Sequence, residues 1–285
     1  MHFYRGIAAW VILFLFFSFL SCYEDKKIGP PHTEKAERRF KAWPTVPSLP
    51  ALQKKYAGMR PRFFSPWVRG TKKKIDTTEK ILVLTMDACG GPCGSGYDAR
   101  LIAFLRKEHV PASLFITWRW GRGNKKILED LGRDPLFTLE NHGNFHRPAS
   151  VAGLSKYGIP GTRSIAELYS EVLVPAKMIY QITGRVPRYY RPGTAYIDDV
   201  AVKIVNDMGF DVLSFTVAPG DAEVRLPFKI MMKRFMTKVH PGAVVLIHMN
   251  RCRGKTALLM EKALPKLRRR GYRFVPLAEY RDRLR

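Results

Sequence analysis

Residues 81–87 read ILVLTMD, a short apolar run that ends on an acid. A run of this length and composition is typical of a strand in a parallel sheet, where both faces of the strand are buried. Similar segments recur along the chain, and we predict strands at residues 81–86, 112–117, 136–139, 188–191, 212–216, 243–248 and 273–276. The chain from residue 80 onward is therefore predicted to be built around these strands.

Amphipathic segments between the strands are predicted as helices at residues 98–109, 164–182, 198–208 and 256–270. Asp98 is expected to cap the first helix, Pro175 to kink or split the second, and Gly271 to end the last. Strands that alternate with helices indicate a parallel sheet. Seven such units in one α/β domain favour a barrel. An open doubly wound sheet is the alternative, because periodicity alone does not decide whether a sheet closes.

The first 22 residues have the features of an export signal. His2 and Arg5 precede an unbroken apolar run at residues 7–20, which is followed by Ser21 and Cys22. The run is shorter than the roughly 20 residues that a transmembrane helix needs, and it fits the core of a signal peptide. Cys22 resembles the cysteine of a bacterial lipoprotein signal, and an uncleaved membrane anchor is the alternative. In each case we expect export to the periplasm, anchoring in the envelope, or secretion.

Residues 23–75 form a basic, proline-rich segment that we interpret as a tether or as an arm wrapped along the domain. Helical periodicity within it is limited to a short stretch at residues 33–43. The aromatic residues Trp43, Phe63, Phe64 and Trp67 indicate that part of the arm docks, because free linkers seldom carry so many aromatics. The predicted organisation is a signal at residues 1–22, the arm at 23–75 and one domain at 76–285.

The charge of the chain predicts anionic partners. It has 49 Lys and Arg against 24 Asp and Glu, which gives a formal net charge of +25. Nucleic acid is not the expected partner, because the protein is predicted to be exported. The sequence also lacks a helix-turn-helix, zinc-finger or RNA-binding motif. Anionic envelope polymers or a membrane surface are therefore the expected partners. We expect the protein to be a monomer.

Polar residues follow four of the predicted strands. Asp87 ends the first strand, His142 follows the third, and Arg191 and His248 end two later ones. In a βα barrel the carboxyl ends of the strands meet on one face, where active sites lie, so we expect these four side chains to converge. His142 and His146 are four residues apart, a spacing that lets two imidazoles face one metal ion. The sequence predicts a candidate active site with a metal on this face.

Four short motifs, taken in order, resemble those of a known family. They are TMDA at residues 85–88, HGNFH at 142–146, RPGT at 191–194 and LIH at 246–248. Their order and spacing resemble the polysaccharide deacetylases of the NodB-homology type, carbohydrate esterase family four, over residues 80–281. The resemblance implies a distorted (β/α)7 barrel of NodB type that binds one divalent ion, usually zinc and sometimes cobalt or nickel. It also implies hydrolysis of N-acetyl groups on an envelope or extracellular polysaccharide, either peptidoglycan or a chitin-like polymer.

The resemblance assigns roles to the motif residues. His142 and His146 would bind the metal ion. Asp87 would be the general base that takes a proton from the attacking water, and Arg191 would hold Asp87 in position. His248 would be the general acid that protonates the departing amine.

Three further residues have supporting roles by the same resemblance. Leu246 would border the pocket for the acetyl methyl group, and a backbone N–H near Thr194 would stabilise the oxyanion. Asp221, in the remnant of another family motif, would tune the acid histidine.

The chain departs from the family pattern at position 88, where Ala88 replaces the acid that is the usual third metal ligand. Asp87, Asp98 or water are the candidates for the missing ligand, although Asp98 is better explained as a helix cap. Loss of a charged ligand weakens metal affinity, so a catalytically degenerate member that binds glycan is one alternative function. A hydrolase of another non-peptide carbon–nitrogen bond is the other.

Three cysteines follow strands that carry the candidate site. Cys89 and Cys93 follow the first strand, and Cys252 follows His248. Both loops would lie on the same face of the barrel. We therefore expect a disulfide from Cys252 to one of the other two.

Overall fold

The computed structural model describes residues 42–251 and 254–285. The signal predicted at residues 1–22 with Cys22, most of the helix predicted at 33–43, and Cys252 lie outside the described residues. Within the described part of the chain, no helix is long and apolar enough to cross a membrane.

The strands of the described chain form one large sheet and one small one. They are β1 (Phe64–Ser65), β2 (Ile81–Ala88), β3 (Ala112–Ile116), β4 (Phe137–Asn141), β5 (Tyr189–Tyr190), β6 (Ile197–Asp198), β7 (Asp211–Val212), β8 (Ala243–His248) and β9 (Arg273–Phe274). In the large, parallel sheet β7, β5, β4, β3, β2 and β8 are neighbours in that order, and β9 also pairs with β2. β1 and β6 form a separate antiparallel pair.

The large sheet curls until its two ends meet. Val217, which follows β7, forms a parallel bridge to Val245 in β8, and the backbone N–H of Leu246 donates to the carbonyl of Val217 at 2.8 Å. This confirms the distorted (β/α)7 barrel, and the alternative of an open doubly wound sheet is wrong. The strand predicted at 212–216 is shorter than expected, because the residues after Val212 leave β5 and pair with Lys72 and then with β8.

Helices connect and cover the strands. They are α1 (Leu49–Lys55), α2 (Ala99–Lys107), α3 (Trp118–Gly123), α4 (Lys125–Arg133), α5 (Ile165–Thr183), α6 (Asp199–Asp207), α7 (Phe228–Lys238) and α8 (Thr256–Arg269). The predicted cap of α2 is confirmed, since an oxygen of Asp98 accepts a hydrogen bond from the Leu101 N–H at 3.0 Å. α5 continues through Pro175, so the predicted split is wrong. The buried face of α5 packs on the barrel, and this packing outweighs the one hydrogen bond that the proline removes.

The two faces of β2 decide which residues reach the active site. Side chains alternate between the faces of a strand. Ile81 and Val83 belong to a cluster inside the barrel, whereas Leu82 and Leu84 belong to the core between the barrel and the helices. Ala88 also belongs to this outer core and is fully buried. The side chains at the odd-numbered positions of β2 therefore point into the barrel, and Asp87 is the last of them within the strand.

The described part of the arm, residues 42–75, packs against the domain. Ser48 caps α1, whose buried Leu52 joins Tyr56 in a cluster that includes residues of α5 and α6. The Trp43 ring also packs on this cluster. Of the other predicted docking aromatics, Phe64 contacts the Tyr196 ring and the Trp67 indole N–H donates to the Phe215 carbonyl. The side chains of Phe63 and Trp67 are both largely exposed, although Trp67 also contacts the Phe215 ring.

Candidate active site

A buried ion pair joins Asp87 to Arg191 inside the barrel. Nη1 of Arg191 lies 2.7 Å from Oδ1 of Asp87, and Nη2 donates to the Thr85 hydroxyl at 3.0 Å. The guanidinium also lies over the Phe115 ring, 4.1 Å from its centroid. Burial lowers the pKa of Arg191, and the Asp87 carboxylate opposes that shift. The pairing fixes one oxygen of Asp87 and leaves Oδ2 directed towards His142, as predicted from the strand ends.

His142 follows β4, and its ring is held by Nδ1 so that Nε2 faces Asp87 and Cys89. Its Nδ1 lies 2.8 Å from the Arg191 carbonyl oxygen, which accepts only if Nδ1 carries the proton. Nε2 then has a lone pair, and it lies 3.5 Å from Oδ2 of Asp87 and 3.8 Å from Sγ of Cys89. Burial would lower the pKa of His142, but the charges of Asp87 and Cys89 raise it above its usual value.

The loop that follows His142 is shaped around a buried acid of α5. Glu171 accepts hydrogen bonds from the backbone N–H groups of Phe145, at 3.0 Å, and Arg147, at 3.1 Å. Gly143 has a φ of +88°, and a Cβ there would lie 2.6 Å from a Glu171 oxygen. The close approach of this carboxylate and the positive φ both favour glycine at this position. The folded loop brings the ring of His146 to 4.9 Å from that of His142, centroid to centroid.

Cys89 is a further candidate metal ligand, at a position that the sequence analysis assigned to a disulfide. Its Sγ and one ring nitrogen each of His142 and His146 all lie within 4.8 Å of one another. Burial would raise the pKa of the Cys89 thiol, but the charge of His146 and hydrogen bonds from the surrounding histidines hold it well below its usual range. Two imidazoles and one thiolate are donors that zinc prefers, so these side chains fit a divalent ion of that kind.

The structure does not bear out the ligand role considered for Asp98. Asp98 caps α2 and is not one of the clustered donors, so its reading as a third ligand is wrong. Its side chain is committed to the first turn of the helix. Cys89 and Cys93 are both free cysteines. The expected disulfide involves Cys252, which lies outside the described residues, so it stays a prediction.

His248, the register partner of Asp87 on the neighbouring strand β8, pairs with Asp221. Oδ1 of Asp221 lies 3.2 Å from Nδ1 of His248, while Oδ2 accepts from the His248 backbone N–H at 2.7 Å and from the Thr256 hydroxyl at 3.1 Å. Burial alone would lower the pKa of His248. The charges of Asp221 and Cys89 instead raise it well above its usual range. Asp221 thus contacts His248 directly, and its tuning role stays a prediction.

The site opens onto a cavity of about 780 Å³ at the carboxyl ends of the strands. Of the eight predicted site residues, six line it: Asp87, His146, Thr194, Asp221, Leu246 and His248. The other two, His142 and Arg191, are buried beside Asp87. The rim carries the exposed aromatic rings of Phe145 and Tyr157. The hydroxyl of Thr194, a residue with a φ of +66°, has no hydrogen-bond partner among the described residues.

A glycine lets the Arg191 loop lie against the His146 loop. A Cβ on Gly193 would lie 2.1 Å from the carbonyl carbon of His146, which is backbone and has no room to move aside. Gly193→Ala is therefore expected to lower the free energy of unfolding by about 1–3 kcal/mol, the usual cost of overpacking. Urea denaturation would measure it. Gly123→Ala is the matched control, since its Cβ would meet nothing within 4 Å, and equal losses in both variants would contradict the steric account.

Comparisons with known proteins agree with this architecture. The profile of the family described as polysaccharide deacetylase matches residues 74–213. The chain is 23% identical over 192 residues to the uncharacterized protein YlxY of Bacillus subtilis, and the match covers 67% of this chain and 55% of that protein. It is 22% identical over 208 residues to the peptidoglycan-N-acetylglucosamine deacetylase of Bacillus cereus, covering 72% of this chain and 90% of that protein. The chain thus spans about half the length of YlxY and most of the deacetylase.

A solved structure with the same fold is that of a CE4 family pseudoenzyme from Bacillus anthracis. It superimposes with a TM-score of 0.61 at 24% identity, and the match covers 74% of this chain and 67% of that chain. At this level of identity the likeness supports the fold. The chemistry has to be argued from the side chains of this chain.

Proposed function

This chain belongs to the polysaccharide deacetylase family, and from that premise we propose that it is a metal-dependent hydrolase of N-acetyl groups on an envelope polysaccharide. The observation that carries the proposal is the convergence of three groups on one cavity. These are the Asp87–Arg191 pair, the histidines His142 and His146, and His248. Together they supply a base, a metal site and an acid, which are the parts that hydrolysis of an unactivated amide requires.

The proposed reaction adds water to the acetamide carbonyl and releases acetate and a free amine. A divalent ion on His142 and His146 would polarise the carbonyl and make the water more acidic. Asp87 takes the proton of the attacking water on Oδ2, because Oδ1 is bound to Arg191. His248 lies beside Asp87 on the neighbouring strand and lines the same cavity, from where it gives a proton to the departing nitrogen.

The remaining residues of the cavity orient the substrate. Leu246 presents an apolar surface beside His248 in the lining of the cavity, which suits the methyl group of an acetyl. Thr194 lies in the same lining, where its backbone N–H would stabilise the oxyanion that forms on the carbonyl oxygen. The exposed rings of Phe145 and Tyr157 provide apolar faces on which sugar rings can stack.

Peptidoglycan is the substrate that best fits the chain as a whole. The apolar run at residues 7–20 would direct the protein out of the cytoplasm and into the envelope, which is where peptidoglycan lies. The formal charge of +25 favours residence near anionic envelope polymers. A chitin-like polymer is the other N-acetylated glycan to be tested.

The direct test is acetate release by the zinc-loaded protein from purified peptidoglycan and from chitin oligomers, with the free amines counted in parallel. We expect equal amounts of acetate and amine from peptidoglycan. Binding to either glycan without acetate release would favour the degenerate alternative, which the alanine at position 88 suggests. Acetate release from small N-acyl compounds alone would favour a hydrolase of another carbon–nitrogen bond.

The pair of His248 and Asp221 predicts a directed change in pH dependence. His248 must be protonated to act as an acid, and Asp221 raises its pKa. Asp221→Asn removes that charge and lowers the pKa, so the protonated fraction at alkaline pH falls. The alkaline limb of kcat/KM against pH is therefore expected to move to lower pH.

The matched control is Glu223→Gln, which removes an exposed carboxylate from the rim of the same cavity. It should leave the alkaline limb in place. A limb that stays in place, or moves to higher pH, in Asp221→Asn would contradict the role of Asp221.

A further inference from the structure

The end of β2 directs Cys89, and not residue 88, towards the cavity. Asp87 points into the barrel and Ala88 into the outer core. Because side chains alternate along a strand, position 89 returns to the face of Asp87. Cys89 lines the active-site cavity. Cys89, one residue after the position where the family carries an acid, therefore occupies the space where a third ligand is needed.

The distances suit a compact metal site. Sγ of Cys89 lies 3.8 Å from Nε2 of His142, and the third donor, on His146, is within 4.8 Å of both. In a tetrahedral zinc site, with bonds of about 2.3 Å to sulfur and about 2.0 Å to nitrogen, these atoms would be about 3.5 Å apart. A small closure of the three side chains is enough to reach that geometry.

The backbone around Cys89 is fixed by hydrogen bonds from a neighbouring segment. The Thr117 hydroxyl donates to the Cys89 carbonyl at 3.0 Å, and a guanidinium nitrogen of Arg119 donates to the same oxygen at 3.2 Å. Arg119 also donates to the Gly90 carbonyl at 3.1 Å. Gly90 has a φ of +72°, and a Cβ there would lie 3.0 Å from the backbone nitrogen of Trp120. The position of the thiol is therefore built into the turn that follows β2.

We propose that Cys89 is the third protein ligand of the metal, in place of the acid that the family carries where Ala88 stands. This deepens the proposed function, on which it rests for the presence of a metal. A thiolate carries the same single negative charge as the lost carboxylate. Asp87 then stays free to act as the base: its Oδ1 pairs with Arg191, and its Oδ2, 3.5 Å from Nε2 of His142, is not among the clustered donors.

The change of ligand has a consequence for metal selectivity. A sulfur donor with two imidazoles is softer than a carboxylate with two imidazoles. It should favour zinc and cobalt strongly over magnesium, calcium and manganese, which prefer oxygen ligands.

The test is an absorption titration of the metal-stripped full chain, with its thiols reduced, by cobalt(II). One equivalent of cobalt is expected to produce an intense near-ultraviolet band from sulfur-to-cobalt charge transfer, together with the weak visible bands of a tetrahedral site. Cys89→Ser should lose the charge-transfer band and bind zinc at least about 100-fold more weakly. Changes in groups that only support a ligand already cost about 10–100-fold.

Cys93→Ser is the matched control, because Cys93 lines the same cavity but is not among the clustered donors. It should keep the charge-transfer band. Cys89→Asp restores a charged ligand, and it is expected to recover most of the zinc affinity while lacking the band. Cys89→Asp takes the place of Cys89→Ser in the titration if the serine variant does not fold.

The ligand role is overturned if the wild-type cobalt complex lacks the charge-transfer band, or if either Cys89 variant keeps it. This outcome is separate from the fate of the proposed function. A protein that binds cobalt through Cys89 but releases no acetate would refute the deacetylase and leave the ligand assignment standing. Acetate release by a protein whose cobalt complex lacks a sulfur ligand would support the deacetylase and refute the ligand assignment.

Discussion

Replacing Asp87 by asparagine is expected to lower kcat/KM for acetate release by about 10²–10⁴, the contribution of a well-placed general base. Asparagine has nearly the same shape as aspartate, but its amide cannot accept the proton of the attacking water. The two histidines and Cys89 are unchanged in this variant, so zinc should still bind. The measurement is steady-state acetate release beside the zinc content of the same preparation.

A matched control separates this loss from a general effect of removing a carboxylate. Asp130→Asn removes an exposed acid of α4 that pairs with Arg106 on the surface, and we expect unchanged kinetics. A folded, zinc-containing Asp87→Asn protein with wild-type activity would contradict the assignment of Asp87 as the base. Activity lost together with zinc would instead make Asp87 a metal ligand.

The largest expected effect on stability comes from Arg191. Arg191→Met keeps most of the side-chain volume but leaves the Asp87 carboxylate buried without its partner. Breaking a buried pair in this way typically costs about 3–5 kcal/mol. The free energy of unfolding, measured by urea denaturation at neutral pH, should fall by that amount.

The double variant Asp87→Leu with Arg191→Met is expected to be more stable than Arg191→Met alone, because no charge is then left unpaired. Arg100→Met is the surface control. Arg100 pairs with Glu261 but is largely exposed, and loss of such a pair costs at most about 1 kcal/mol. Similar losses in Arg191→Met and Arg100→Met would contradict the account of a buried, energetically important pair.

The strands that carry the chemistry were predictable because they are long, apolar and buried on both faces. β2 and β8 agree closely with expectation, and Asp87 and His248 lie together as their positions at the strand ends implied. β5, β7 and β9 are only two residues long each, which no apolar pattern specifies. Their length is set by how they pair with the adjacent strands of the sheet.

Some helices were missed for reasons that lie in the local sequence. α1 begins at Leu49, with Ser48 as its cap and Pro50 in its first turn, an arrangement that favours the start of a helix. In the sequence the same proline suggested a tether. α3 contains two glycines and two tryptophans in six residues, so it has little intrinsic helix propensity and depends on its packing.

Cys89 was missed because the motif directed attention to position 88. The family pattern marks that position as the ligand, and the chain has alanine there. The usable signal was the alternation of β2, which places residue 89 on the face of Asp87. The positions of Glu171 and Gly143 could not be foreseen in the same way, because they depend on how α5 packs against the His146 loop.

The measurement that tests the central claim most directly is acetate release from peptidoglycan by metal-stripped protein before and after zinc is restored, beside His142→Ala treated identically. The account predicts little acetate without metal, recovery in the wild type after zinc is added, and no recovery in His142→Ala. Undiminished release by the metal-stripped protein, or no release by the zinc-loaded wild type, would contradict a metal-dependent deacetylase at this site.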